Sequence, residues 1–168
     1  MMRSTYVVGI GSNRRGVHGS PAAEVAAALA ALPGRVIDVA PIVPTAPLGP
    51  SIRRYANTAA VLESELAPGD LLHRLKTIEH TFGRRRGQRW GARVIDLDIL
   101  LWSGGTWGEP GLIVPHTAFR TRDFVLGPLA RVVPGWRDPI SGLTVRHLNA
   151  RLTRRRALPR RSGAGEGP

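Results

Sequence analysis

The chain has no cysteine. A disulfide framework and a thiolate metal site are therefore excluded, which fits a reducing compartment. Lysine is nearly absent too: Lys76 is the one lysine, and arginine supplies the remaining basic charge. Long apolar runs are also missing. The amino-terminal run Tyr6 to Ile10 gives way at Gly11, Ser12 and Asn13, without the length or flanks of a signal peptide or membrane span. We expect a cytoplasmic protein with no membrane partner. His18, His73, His80 and His147 show no metal-ligand spacing, and Ser12 lacks the histidine-plus-acid pattern of a nucleophile. There is no internal repeat.

What is present is charge of one sign. The 168 residues carry 24 Lys and Arg against 12 Asp and Glu, a net charge of +12. Such a balance implies anionic partners: nucleic acid, nucleotide phosphates or an acidic surface. Part of the excess is local, since residues 151–168 hold six Arg against one Glu and end in SGAGEGP. The length suits one domain with a real core. We expect that domain over residues 1–150, followed by a basic, disordered tail over 151–168 that is either solvated and without function or weakly phosphate-directed.

The pattern alternates strand-like and helix-like segments. Tyr6 to Ile10 suits a buried strand. Ser20 is placed as an N-cap with Pro21 at the first helical position, opening an alanine-rich helix to Leu32 that Pro33 and Gly34 stop. Arg35 to Ile42 reads as a second strand. Val43 to Arg54 is too broken by Pro44, Pro47, Gly49 and Pro50 to be regular. Tyr55 to Glu65 is a third strand. Pro68 opens a helix with Leu71, Leu75, Ile78 and Phe82 on one face, ended by Gly83. A strand from Val94 to Leu101, a short extended piece from Ile113 to His116 and a helix from Asp123 to Val132 complete the series. The order βαββαβ with a further helix describes an α+β fold: a ferredoxin-like α/β sandwich with an antiparallel or mixed central sheet and an extra helix towards the C-terminus.

The chemistry concentrates at RVIDLDILL, residues 93–101. A strand turns alternate side chains to one face, so Ile95, Leu97, Ile99 and Leu101 make a core stripe while Val94, Asp96, Asp98 and Leu100 share the other side. Asp96 and Asp98 then point the same way with Cα atoms roughly 6.5 to 7 Å apart. Like charges so placed raise each other's cost. Either arginines from the run upstream or divalent cations must offset them. Paired oxygen ligands suit Mg2+, which completes its octahedron with water and substrate phosphates.

Just upstream lie Arg84, Arg85, Arg86, Arg89 and Arg93, spaced by Gly83, Gly87 and Gly91. Arginine forks bind phosphate oxygens bidentately, and flanking glycines let a loop close over a ligand. A nucleoside triphosphate with Mg2+ needs both parts, anions for the metal and cations for the phosphates. Two other readings compete. A nucleotidyltransferase pairs a Gly-Ser turn with a D-x-D strand close in sequence, whereas Ser12 and Asp96 lie far apart. An RNA-binding ferredoxin-like module wants clustered aromatics on adjacent strands, and none is present.

The segment RWGARVIDLDIL, with VGIGSN near the start, TAPLGP and YANTA in the middle, and IVPH followed by RDFVLGPL, resembles the 6-hydroxymethyl-7,8-dihydropterin pyrophosphokinases of folate biosynthesis. The likeness runs from about Tyr6 to Leu148. It implies the ferredoxin-like sandwich, ATP as co-substrate, two Mg2+ ions, and transfer of pyrophosphate from ATP to the pterin's 6-hydroxymethyl oxygen. It further implies a monomer that acts on small molecules and not on nucleic acid. By the same resemblance Asp96 and Asp98 match the metal ligands, the first also touching substrate, and Arg84 and Arg93 match arginines that support transfer. Arg86, Arg89, Arg122 and His116 match groups around ATP. Tyr55 and Phe124 match aromatics that sandwich the pterin, Thr45, Leu48 and Asn57 match residues at its edge, and Trp90 matches a tryptophan that closes over the site. The chain departs from the pattern at Ile52, Arg53 and Arg54, where Gln-Pro is common, and at Ala46, Gly111 and Thr117.

Overall fold

The aliphatic stretch around Tyr6 becomes β1 (Ser4–Ser12), the strand on which the sheet is built. The computed structural model describes residues 3–45, 55–83 and 94–154. After β1 come α1 (Pro21–Ala31), β2 (Arg35–Val39), β3 (Val43–Thr45), β4 (Tyr55–Ser64) and α2 (Pro68–Gly83). They are followed by β5 (Asp96–Trp102), β6 (Trp107–Glu109), β7 (Leu112–Val114), α3 (Asp123–Val132) and α4 (Val145–Arg154). The main sheet has the order β2-β4-β1-β5, with β3 on the same edge of β4 as β2, and every described pairing is antiparallel. This is the ferredoxin-like arrangement expected. β6 and β7 form a separate hairpin, and Gly111 at its turn has φ +84°, a conformation that favours glycine.

Both faces of the sheet are covered, which is why β4 is buried almost without interruption from Ala56 to Leu62. On one face Tyr6, Val8, Ile10, Leu62, Leu97 and Ile99 pack against Val25 and Ala28 of α1 and Leu71, Leu75 and Phe82 of α2. On the other, Val7, Ala59, Leu100 and Leu101 pack with Phe119, Leu126, Leu129, Val145 and Leu148. The α1 start is as expected: the Ser20 hydroxyl accepts the Ala23 N–H at 3.3 Å, with Pro21 behind it. Gly34 is needed sterically, since a Cβ there would lie 2.3 Å from the Glu63 carbonyl oxygen.

Four expectations are corrected. Leu101 does not join the stripe of Ile95, Leu97 and Ile99: Val8 pairs with Ile99 and Val7 with Leu101, so Leu100 is an extra residue at a β-bulge. Leu100 and Leu101 consequently both join the α3/α4 side. Val94 lies before β5 and packs against Gly83 and Gly16. Residues 43–45 are regular despite Pro44, because β3 lies at the sheet edge, where a missing N–H is tolerated. Finally, α4 was not foreseen as a helix, and Arg151 to Arg154 of the expected tail form its last turn. Residues 155–168 lie outside the described residues.

The segment joining α3 to α4 is pinned by Asp138, whose side chain is fully buried. Burial would raise its carboxyl pKa, but hydrogen bonds from Arg120 and Ser141, the Ile140 N–H and the Arg120 charge together hold it well below the usual carboxylate range. Arg120 approaches through Nε at 2.7 Å and Nη2 at 2.6 Å. Because the folded pKa is depressed, this stabilisation is present above the unfolded carboxyl's titration near pH 4 and is lost as pH falls towards the folded value. Removing one partner of a buried pair costs roughly 3–5 kcal/mol. Asp138→Ala should lower the urea midpoint accordingly at pH 7, with the gap to wild type narrowing at pH 3.5; a constant gap would show that the ion pair is not its source.

Candidate active site

The site is built on two cross-strand rows. In the first, Gly11 of β1 stands between Asp96 of β5 and Asn57 of β4; in the second, Gly9 stands between Asp98 and Ala59. Asp98 shares the sheet face of Leu100, towards α3. A glycine in the middle of each row leaves a trough where a side chain would stand. Asn57 uses the space over Gly11: a Cβ on that glycine would lie 2.7 Å from Asn57 Oδ1. A Cβ on Gly9 would meet Leu100 Cδ1 at 3.0 Å. The trough opens into a cavity of about 1040 Å³.

Tyr55, Asn57, Asp96, Asp98, His116, Arg122 and Phe124, all singled out in the sequence, line this one cavity. Tyr55 opens β4, and Phe124 stands in the first turn of α3. The Phe124 N–H donates to Asp123 Oδ1 at 2.9 Å, and the Arg122 guanidinium lies 5.7 Å from the Phe124 ring centre. His116 follows β7 and is fixed through its backbone, its N–H donating to the Leu100 carbonyl at 3.0 Å. Its Nδ1 accepts the Ala118 N–H at 3.2 Å. In the neutral ring this places the proton on Nε2, as a donor. Asp96 is exposed and Asp98 half-buried.

Thr45 pairs through its backbone with Tyr55, and its side chain is outside the description. Leu48, Arg84, Arg86, Arg89, Trp90 and Arg93 lie outside the described residues. Among the described residues no group of three or more His, Cys, Asp and Glu is arranged for a metal. The pair Asp96 and Asp98 nonetheless fits Mg2+, because that ion keeps several waters and takes one or two protein carboxylates plus phosphate oxygens. The two acids share one strand face at the mouth of a cavity with room for such oxygens.

One residue at this site escaped the sequence reading. Glu79 of α2 is 8% exposed, and its Oε1 accepts the backbone N–H of Leu97, between the two aspartates, at 2.8 Å. The signal was there: Glu79 is four residues after Leu75 and three before Phe82, so it falls on the buried stripe of the helix.

A model of the 7,8-dihydro-6-hydroxymethylpterin-pyrophosphokinase family matches residues 7–134. The 2-amino-4-hydroxy-6-hydroxymethyldihydropteridine pyrophosphokinase of Pseudomonas aeruginosa is 42% identical over 144 residues, covering 83% of this chain and 86% of the relative. The protein of that name from Methylorubrum extorquens is 40% identical over 150 residues, covering 86% and 91%. In structure the chain is similar to wild-type Plasmodium falciparum HPPK-DHPS crystallised with pteroate, with a TM-score of 0.69 and 15% identity over 92% of this chain. The chain spans 43% of that longer protein, and this likeness bears on the fold alone. Among the described residues no helix is long and apolar enough to cross a membrane.

The trough can be filled directly. Gly11→Ala forces the flexible Asn57 side chain to move, not the backbone. It should leave the thermal midpoint nearly unchanged while weakening a planar ring ligand roughly tenfold, about 1.4 kcal/mol, as read by fluorescence quenching; undiminished affinity would remove Asn57 from the binding surface.

Proposed function

Since the chain belongs to the 7,8-dihydro-6-hydroxymethylpterin-pyrophosphokinase family, we propose that its glycine-floored cavity is where that chemistry is done, with Asp96 and Asp98 as metal ligands. The protein is a transferase of folate biosynthesis that moves pyrophosphate from ATP to 6-hydroxymethyl-7,8-dihydropterin. The observation carrying the site assignment is the register that sets both carboxylates beside glycines, on the cavity that Tyr55 and Phe124 also line.

In this reading the pterin ring stacks on Tyr55 and Phe124, whose flat faces bind a planar heterocycle. Asn57 meets the polar edge of the ring, with Thr45 and Leu48 beside it. The pterin hydroxymethyl oxygen then forms a bond to the β-phosphorus of ATP while the bond from that phosphorus to the bridging α,β oxygen breaks. AMP leaves with that oxygen, and the hydroxyl proton passes to water. Phosphoryl-type transfer depends mainly on alignment and charge neutralisation. Asp96 and Asp98 would hold Mg2+, two ions by the resemblance, and such ions supply positive charge to the triphosphate oxygens. His116 presents its Nε2 proton to a phosphate oxygen, and Arg122 adds a cation beside Phe124. Arg84 and Arg93 offset charge at the transferring group, Arg86 and Arg89 hold ATP, and Trp90 closes over both substrates. We also propose that the enzyme acts as a cytoplasmic monomer without nucleic acid, on a single domain.

Incubation with ATP, Mg2+ and 6-hydroxymethyl-7,8-dihydropterin should yield AMP and the pterin diphosphate in equal amounts; ADP or inorganic pyrophosphate instead would refute the reaction. Asp98→Ala should lower turnover by roughly 10³-fold or more while pterin binding by calorimetry persists, and unchanged turnover would refute the metal assignment. Arg93→Ala should reduce kcat more than it weakens ATP binding, whereas the reverse would make Arg93 a binding residue only.

A further inference from the structure

β5 carries both aspartates, yet in the described sheet it has a neighbour on one side only, β1. Its outward N–H groups therefore face no strand among the described residues. Leu97, wholly buried, contributes one such donor between Asp96 and Asp98, and a buried donor left unsatisfied is destabilising. Glu79 answers it with a carboxylate oxygen at 2.8 Å. That carboxylate is in turn held by Lys76, whose ammonium lies 2.9 and 3.0 Å from its two oxygens. The cation, the one lysine of the sequence, thus stands one turn from the acid on α2, and the acid stands on the peptide that joins Asp96 to Leu97.

We infer that Glu79, steadied by Lys76, is a positioning residue that fixes the peptide between Asp96 and Asp98 and so sets the separation and direction of the two metal-binding carboxylates. This rests on the reading of Asp96 and Asp98 as metal ligands. The rest of the pocket comes from elsewhere: Tyr55 and Asn57 from β4, Phe124 from α3. Glu79 therefore acts mainly on metal affinity and turnover, and reaches pterin affinity only through Asp96, one contact among several. A helix carboxylate takes the place of a further strand at this edge, binding the aspartate-bearing strand to α2 through one charge-assisted bond.

The test uses Mn2+ with α,β-methylene ATP, its binding read by electron paramagnetic resonance, together with kcat, pterin affinity and the Leu97 amide by NMR hydrogen exchange. Glu79→Leu should weaken Mn2+ roughly fivefold or more and lower kcat roughly 10- to 100-fold, with pterin affinity unchanged within about twofold and Leu97 exchange accelerated. Glu79→Gln keeps an oxygen acceptor and should recover most of the exchange protection and Mn2+ affinity. Lys76→Met, on an exposed side chain, should fold normally and shift Mn2+ affinity and kcat in the same direction by roughly two- to fivefold. Wild-type Mn2+ affinity and kcat in Lys76→Met and in folded Glu79→Leu would overturn the inference, as would a parallel loss of pterin affinity. Asp98→Ala, measured alongside, separates the two claims. If it too keeps Mn2+ and turnover, the metal reading itself fails; if it loses both while Glu79→Leu loses neither, only the positioning role fails.

Discussion

The register between β1 and β5 is the constraint on which the rest depends. Pairing Gly11 with Asp96 and Gly9 with Asp98 puts the acids of an outer strand beside the bare backbone of a central one. A shift by one residue would turn Asp96 and Asp98 into the α1/α2 core and bring Leu97 to the trough, because strand side chains alternate strictly. The apolar packing of Leu97 and Ile99 under α2 therefore does two things at once. It stabilises the sheet, and it commits the carboxylates to the cavity.

The two faces of the sheet divide the labour. The α1/α2 side is a continuous apolar layer from Tyr6 to Val114, and its polar insertions serve structure, as when buried Glu24 holds the His18 backbone N–H at 2.7 Å and its ring Nδ1 at 2.8 Å. The α3/α4 side is apolar only at one end of the strands. At the other end the same face holds Gly9, Gly11, Asn57, Asp96 and Asp98, and α3 delivers Phe124 to it while its Leu126 and Leu129 remain in the core.

Much of this was legible in the residues. Ser20 and Pro21 announced α1, the alternation of residues 95–99 announced a strand with two acids on one side, and the spacing of Leu71, Leu75 and Phe82 announced the buried face of α2. What could not be read depended on contacts distant in sequence. Period-two reasoning has no means of seeing the extra residue at Leu100, because a bulge is defined by the partner strand. Glu79 was passed over since charge normally marks the solvent side of a helix, and its acceptor role exists only once Leu97 arrives from another element. The short strand at Val43–Thr45 was hidden by Pro44, which breaks central strands but not edges. The cavity residues came from a resemblance as much as from pattern, and their convergence required the sheet order.

The bulge at Leu100 has a meaning beyond its local geometry. It acts as a phase changer within one strand: residues before it alternate between cavity and core, while Leu100 and the residue after it both anchor on the α3/α4 side. One end of β5 is thereby moored in the apolar core just beyond the point where the other end meets water.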